Sequence, residues 1–60
     1  MSSIYNPEAD TIAEIEQLEL DARNVRRRID HVRTVDDRRA LNKQLAEIKH
    51  RIEFLRRSLP

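Results

Sequence analysis

The residues with the most chemical character are arginines. Arg23, Arg26, Arg27, Arg28, Arg33, Arg38, Arg39 and Lys43 crowd one stretch of a 60-residue chain. Guanidinium forks suit phosphates and carboxylates, so this cluster is a candidate site for a phosphate backbone or for an acidic protein surface. Against base reading, no aromatic side chain lies among these arginines to stack on a base, and the net charge of the chain is only +1. The simpler account is a solvated helix face. Glu19 to Arg23, Glu47 to Arg51 and Glu53 to Arg57 are favourable i,i+4 pairs of the kind that lace exposed helices.

The remaining reactive side chains form no catalytic set. His31 and His50 lack the two-histidine i,i+4 pattern of a zinc helix, and there is no cysteine to act as nucleophile, thiolate ligand or disulfide partner. Ser2, Ser3 and Ser58 sit near the chain ends. Without glycine there is no phosphate-cradling loop. The carboxylates fall on helix faces where nothing raises a pKa for acid catalysis. The expectation is no enzyme activity, no cofactor and no metal.

The elements that position these residues are helical. Charged residues make up 38% of the chain, and glycine, the usual residue of tight strand turns, is absent. Two apolar series recur at alternating steps of three and four. The first is Ile15, Leu18, Ala22, Val25, Ile29, Val32, and the second is Leu41, Leu45, Ile48, Ile52, Leu55, Leu59. Both are coiled-coil seams by spacing. On one unbroken helix their directions would differ by roughly 130° at 100° per residue, so a break belongs near residues 33–37. Folding back at Asp36-Asp37 aligns the series in layers whose indices sum to 73 or 74, from Val32 with Leu41 to Ile15 with Leu59. An antiparallel two-helix coiled-coil hairpin follows. Two unbroken helices exchanged between copies would satisfy the same sums; the phase jump at the turn favours the hairpin.

The expected organisation is a single domain, with an N-terminal extension at 1–6, helix one at 7–33, a turn at 34–36, and a second segment at 37–60 that is regular to about 58. Asn6 followed by Pro7 reads as a helix start, and Thr34 with Asp37 three residues later resembles a capping box, with Asp36 as the alternative cap.

Charge is segregated along this rod. Residues 1–21 carry six acids and no bases (Glu8, Asp10, Glu14, Glu16, Glu19, Asp21), residues 22–43 carry a net +5, and residues 44–60 a net +2. The fold-back sets the acidic start of helix one beside Lys49, Arg51, Arg56 and Arg57 and leaves the turn end basic. Ile12, Leu20, Val35 and Phe54 belong to neither seam. Leu20 and Phe54 point away from their own seams, and with Ile12 and Tyr5 they are the candidate contacts for a partner.

These features favour a small structural or interaction subunit. It would bind protein, as further copies of itself or as a different chain, in an oligomer or a larger assembly of virion or secretion type. The alternatives are an Arg-rich nucleic-acid-binding regulator and a small adaptor or inhibitor of one protein. No apolar run approaches the roughly 20 residues of a membrane span. Met1–Tyr5 has neither a basic nor an apolar leader region, so the expected location is the cytoplasm or a particle assembled inside the cell.

Overall fold

A computed structural model describes residues 6–60. It is an all-α hairpin of two helices, α1 (Pro7–Ile29) and α2 (Val35–Ser58), packed against each other along their length. The first start signal works as its residues dictate. Asn6 is extended, and its Oδ1 accepts from the N–H groups of Glu8 at 3.0 Å and Ala9 at 3.3 Å. Pro7 occupies the first turn, where a missing N–H costs nothing, and Glu8 and Asp10 complement the positive end of the helix.

α1 ends at Ile29, earlier than the 33 expected from its apolar period. The N–H of Asp30 still bonds the Arg26 carbonyl at 3.3 Å, and that of His31 bonds the Arg28 carbonyl at 3.1 Å. The chain then leaves the helix through Val32 and Arg33. Glycine commonly closes a helix by adopting a left-handed conformation. This chain has no glycine, and no described residue has a positive φ. Asp30 instead stays right-handed, at φ −67° and ψ −18°, and Thr34 is extended, at φ −107° and ψ 149°. A five-residue linker, Asp30–Thr34, therefore replaces the three-residue turn at 34–36.

Thr34 restarts the helix. Its Oγ1 accepts from the Asp37 N–H at 3.1 Å, with Asp36 and Asp37 in the first turn. It is thus the cap, rather than Asp36. Thr34→Ala is expected to cost about 1 kcal/mol, a fall of roughly 4–8 °C in thermal midpoint for a domain of this size. Circular dichroism melts check this, and Thr34→Ser should retain most of the stability.

Two cross-helix ion pairs bear on the register. Glu14–Arg51 and Glu19–Arg56 lie on opposite flanks of the seam, with indices summing to 65 and 75. Their mean of 70 is the sum at which Ile15 would lie level with Leu55, Leu18 with Ile52, Ala22 with Ile48, Val25 with Leu45 and Ile29 with Leu41. Ala22 and Ile52, however, border one groove and Val32 and Leu41 another, as layers at 74 and 73 have them. Ile15, Ile52 and Leu55 form one buried cluster with Leu18, Ile48 and Leu59 packed on it. At 70, half-buried Thr11 would lie level with half-buried Leu59. The earlier layers at 73 and 74 set steps of three against steps of four. At 70 the steps would match, so each knob would meet its layer squarely along the whole rod. Val32, off the helix, is a half-buried loop residue bordering Leu41.

The core is thin. Ile15, Ala22, Val25, Leu41, Ile52 and Leu55 retain 4–9% exposure, Leu18, Ile29, Leu45, Ile48 and Leu59 are half-buried, and no described side chain is wholly enclosed. The molecule measures 55 × 22 × 11 Å, a slab one helix thick. Its radius of gyration is 15.2 Å, against about 10 Å for a compact 60-residue domain.

Candidate interaction surface

A single-layer hairpin offers two broad faces, two outer edges and two ends. The edges carry the unused apolar residues. Ile12 is 46% exposed, Leu20 49%, Phe54 59% and Val35 70%. Helical spacing places Leu20 on the edge of α1 directly away from the seam, with Ile12 beside it and Ala9 and Ala13 continuing the stripe. Phe54 lies on the outer side of α2, and Val35 opens α2 at the turn end. Tyr5, the fourth partner candidate, lies outside the described residues.

Phe54 is held rather than loose. The Arg51 guanidinium lies 5.4 Å from its ring centroid. The same guanidinium donates from Nε to Glu14 Oε2 at 3.2 Å, with Nη2 also 3.2 Å from that oxygen. Glu14, Arg51 and Phe54 thus form a chain from α1 across the flank to the outer side of α2. Both charged groups are about half exposed, so the ion pair contributes only ~0–1 kcal/mol. The guanidinium over the ring adds about 0.5–1 kcal/mol. What the chain secures is position: a cation lies over a ring that stays exposed. Arg56 Nη2 donates to Glu19 Oε2 at 2.9 Å on the opposite flank.

Both ion pairs lie toward the open end, and they account for two of the four bases expected beside the acidic start of α1. Lys49 instead borders an open groove between the helices together with Arg23, Arg26 and Glu53. Arg57 is exposed in the last turn of α2.

The eight basic residues are spread around the turn end. Arg23, Arg26, Arg27 and Arg28 occupy the last turns of α1, Arg33 the linker, and Arg38, Arg39 and Lys43 the first turns of α2; all are exposed. Among the described residues none of them lies within ion-pair distance of a carboxylate. His31 is in the linker and His50 is exposed on α2. Nothing in this arrangement encloses a small molecule, since the grooves are open along the slab.

Sequence reasoning missed two features. Thr11 is half-buried, its Oγ1 donating to the Pro7 carbonyl at 2.9 Å, and as a lone polar residue it carried no apolar signal. The junction of Arg51 with both Glu14 and Phe54 joins residues 37 positions apart, so it is visible only once the register is known.

Fold and surface together define an antiparallel helical hairpin with polar flanks and a few exposed apolar residues on its outer edges. Among the described residues, no helix is long and apolar enough to cross a membrane. No family model matches the chain, and neither a curated protein nor a solved structure is detectably similar to it.

Proposed function

We propose that this chain is a small structural and interaction subunit that packs through the outer edges of its hairpin into a homo-oligomer or a larger protein assembly. The observation that carries this reading is the unbalanced surface. The chain exposes 5274 Å², against about 4100 Å² for a compact monomer of 7.2 kDa. Much of the excess lies on a slab with a helix on only one side of each seam and with Ile12, Leu20 and Phe54 turned outward. A protein partner covering an edge supplies the apolar burial that two helices cannot supply to each other.

The segregated charge fits the same role. An acidic half and a basic end select orientation when rods pack together. A uniformly basic face would have favoured nucleic acid instead.

The test compares the apparent mass of the chain, purified and in a native extract, with that of the double variant Leu20→Glu/Phe54→Glu. Both positions are exposed, so the variant is expected to keep its helical circular dichroism. The unmodified chain is expected in species well above 7.2 kDa, and the variant at the mass of the lone hairpin. An unmodified chain that runs as a single hairpin in both settings would exclude this function.

A further inference from the structure

We infer that the outer edge of α1 is a homodimer interface, on which a second copy of this chain lies antiparallel about a twofold axis near Leu20. The inference rests on the interaction reading and names the partner which that reading leaves open.

Three observations converge on this edge. The first is a stripe. Ala9, Ala13, Glu16, Leu20, Arg23 and Arg27 recur at steps of four and three on the side of α1 turned from the seam, and all are exposed. This is a second heptad line, back to back with the one that α2 covers. Its start is small and apolar, its middle is Leu20, and its end is arginine.

The second observation is charge. Within α1 every charged residue up to Asp21 is acidic, six in all, and every one from Arg23 onward is basic, four in all. A second α1 turned end for end sets the acidic half of each helix beside the basic end of the other, with Glu16 of the stripe against Arg23 and Arg27, whereas a parallel copy sets like over like. The intramolecular ion pairs use Glu14 and Glu19, on the flanks, and leave Glu16, Arg23 and Arg27 unused. With Leu20 near the axis, each residue meets a partner whose index brings the sum to about 40. Glu16 then faces Arg23 and Arg27 of the second copy, and the aliphatic stems of those arginines cover Ala13 and Ile12. Each such contact occurs twice, as an isologous interface requires. The outer side of α2 has no equivalent division, since its Lys43, Glu47, Glu53 and Arg57 place bases at both ends and acids between them.

The third observation is area. The excess over a compact monomer, roughly 1100 Å² spread over the whole slab, leaves room for an interface of standard size, to which each partner contributes about 800 Å².

Sedimentation equilibrium with a charge exchange tests the interface. The unmodified chain is expected at about twice its 7.2 kDa. Arg23→Glu/Arg27→Glu and Ala13→Arg/Glu16→Arg are each expected to be monomeric alone, with dimer dissociation constants raised by roughly tenfold or more. Mixed one to one, they should return to the dimer mass, because each now meets the opposite sign. Leu20→Glu should also be monomeric. A chain that self-associates regardless of these substitutions, or a mixture that stays monomeric, overturns the α1 interface while leaving the interaction reading intact. A purified chain that is monomeric throughout overturns the homodimer. The interaction reading falls with it only if the extract also holds the chain as a lone hairpin.

Discussion

Leu55→Ala is expected to leave the chain largely unfolded at 37 °C. Leu55 is one of six buried apolar residues and belongs to the cluster with Ile15 and Ile52. Truncating a buried leucine costs about 2–5 kcal/mol, through lost transfer energy and through the cavity left behind. A 60-residue chain at 0.05–0.15 kcal/mol per residue holds roughly 3–9 kcal/mol in total. The loss therefore approaches the whole stability, and no second layer stands behind Leu55 to collapse into the gap. Helical circular dichroism against temperature checks this, with a fall of at least about 10 °C in the midpoint expected. The same truncation at Leu20, which is half exposed, should leave the hairpin melt of a dilute monomer nearly unchanged. If the two substitutions were equally mild, Leu55 would not be a core residue.

The second large effect tests the register. Val25→Cys/Leu45→Cys places the two sulfurs in one layer, with indices summing to 70. Its oxidation is expected to proceed within the chain and to stabilise the hairpin by about 3 kcal/mol over the same protein reduced, as a closed loop of about 20 residues implies. That corresponds to more than roughly 12 °C in thermal midpoint. Val25→Cys/Ile48→Cys joins positions that the other register would place together. With layers at 70, Ile48 is about 4.5 Å along the axis from the level of Val25, at 1.5 Å per residue, too far for relaxed disulfide geometry. It should oxidise slowly or between chains, with little gain. Efficient intramolecular closure of the 25–48 pair and failure of the 25–45 pair would restore layers at 73 and 74. Comparing oxidised with reduced protein cancels the cost of replacing Val25 and Leu45.

These two experiments separate what could be read from residues from what could not. The apolar positions and their faces were legible, because a helix repeats every 3.6 residues and the direction of a side chain follows from its index alone. All twelve seam candidates are buried or half-buried, and the four large apolar residues assigned to neither seam are the ones left exposed. Asn6 and Thr34 announced their helix starts because the side chain of each satisfies backbone donors within three residues of itself, and Pro7 because it has no N–H to leave unpaired. The end of α1 was less legible. Val32 continues the apolar period, so nothing local marks Ile29 as the last helical residue. The linker geometry of a glycine-free chain decides it.

For the interaction surface, the exposure of Leu20 and Phe54 follows from helical direction. The clamp on Phe54 does not, because Arg51 reaches Glu14 across 37 positions of sequence and the pairing depends on how far one helix slides along the other. Direction around a helix is a property of the chain. Height along the partner is a property of the pair.

By itself, then, the sequence determined that this protein is two amphipathic helices, which residues face inward, and that acid and base are divided along the rod. Only the tertiary structure decided the level at which the helices meet, the five-residue linker that joins them, and which arginines find glutamates. The physical reason is that apolar spacing repeats with every layer and so allows more than one alignment. The choice among alignments is made by the contacts between the helices, and by a linker that closes without a left-handed residue.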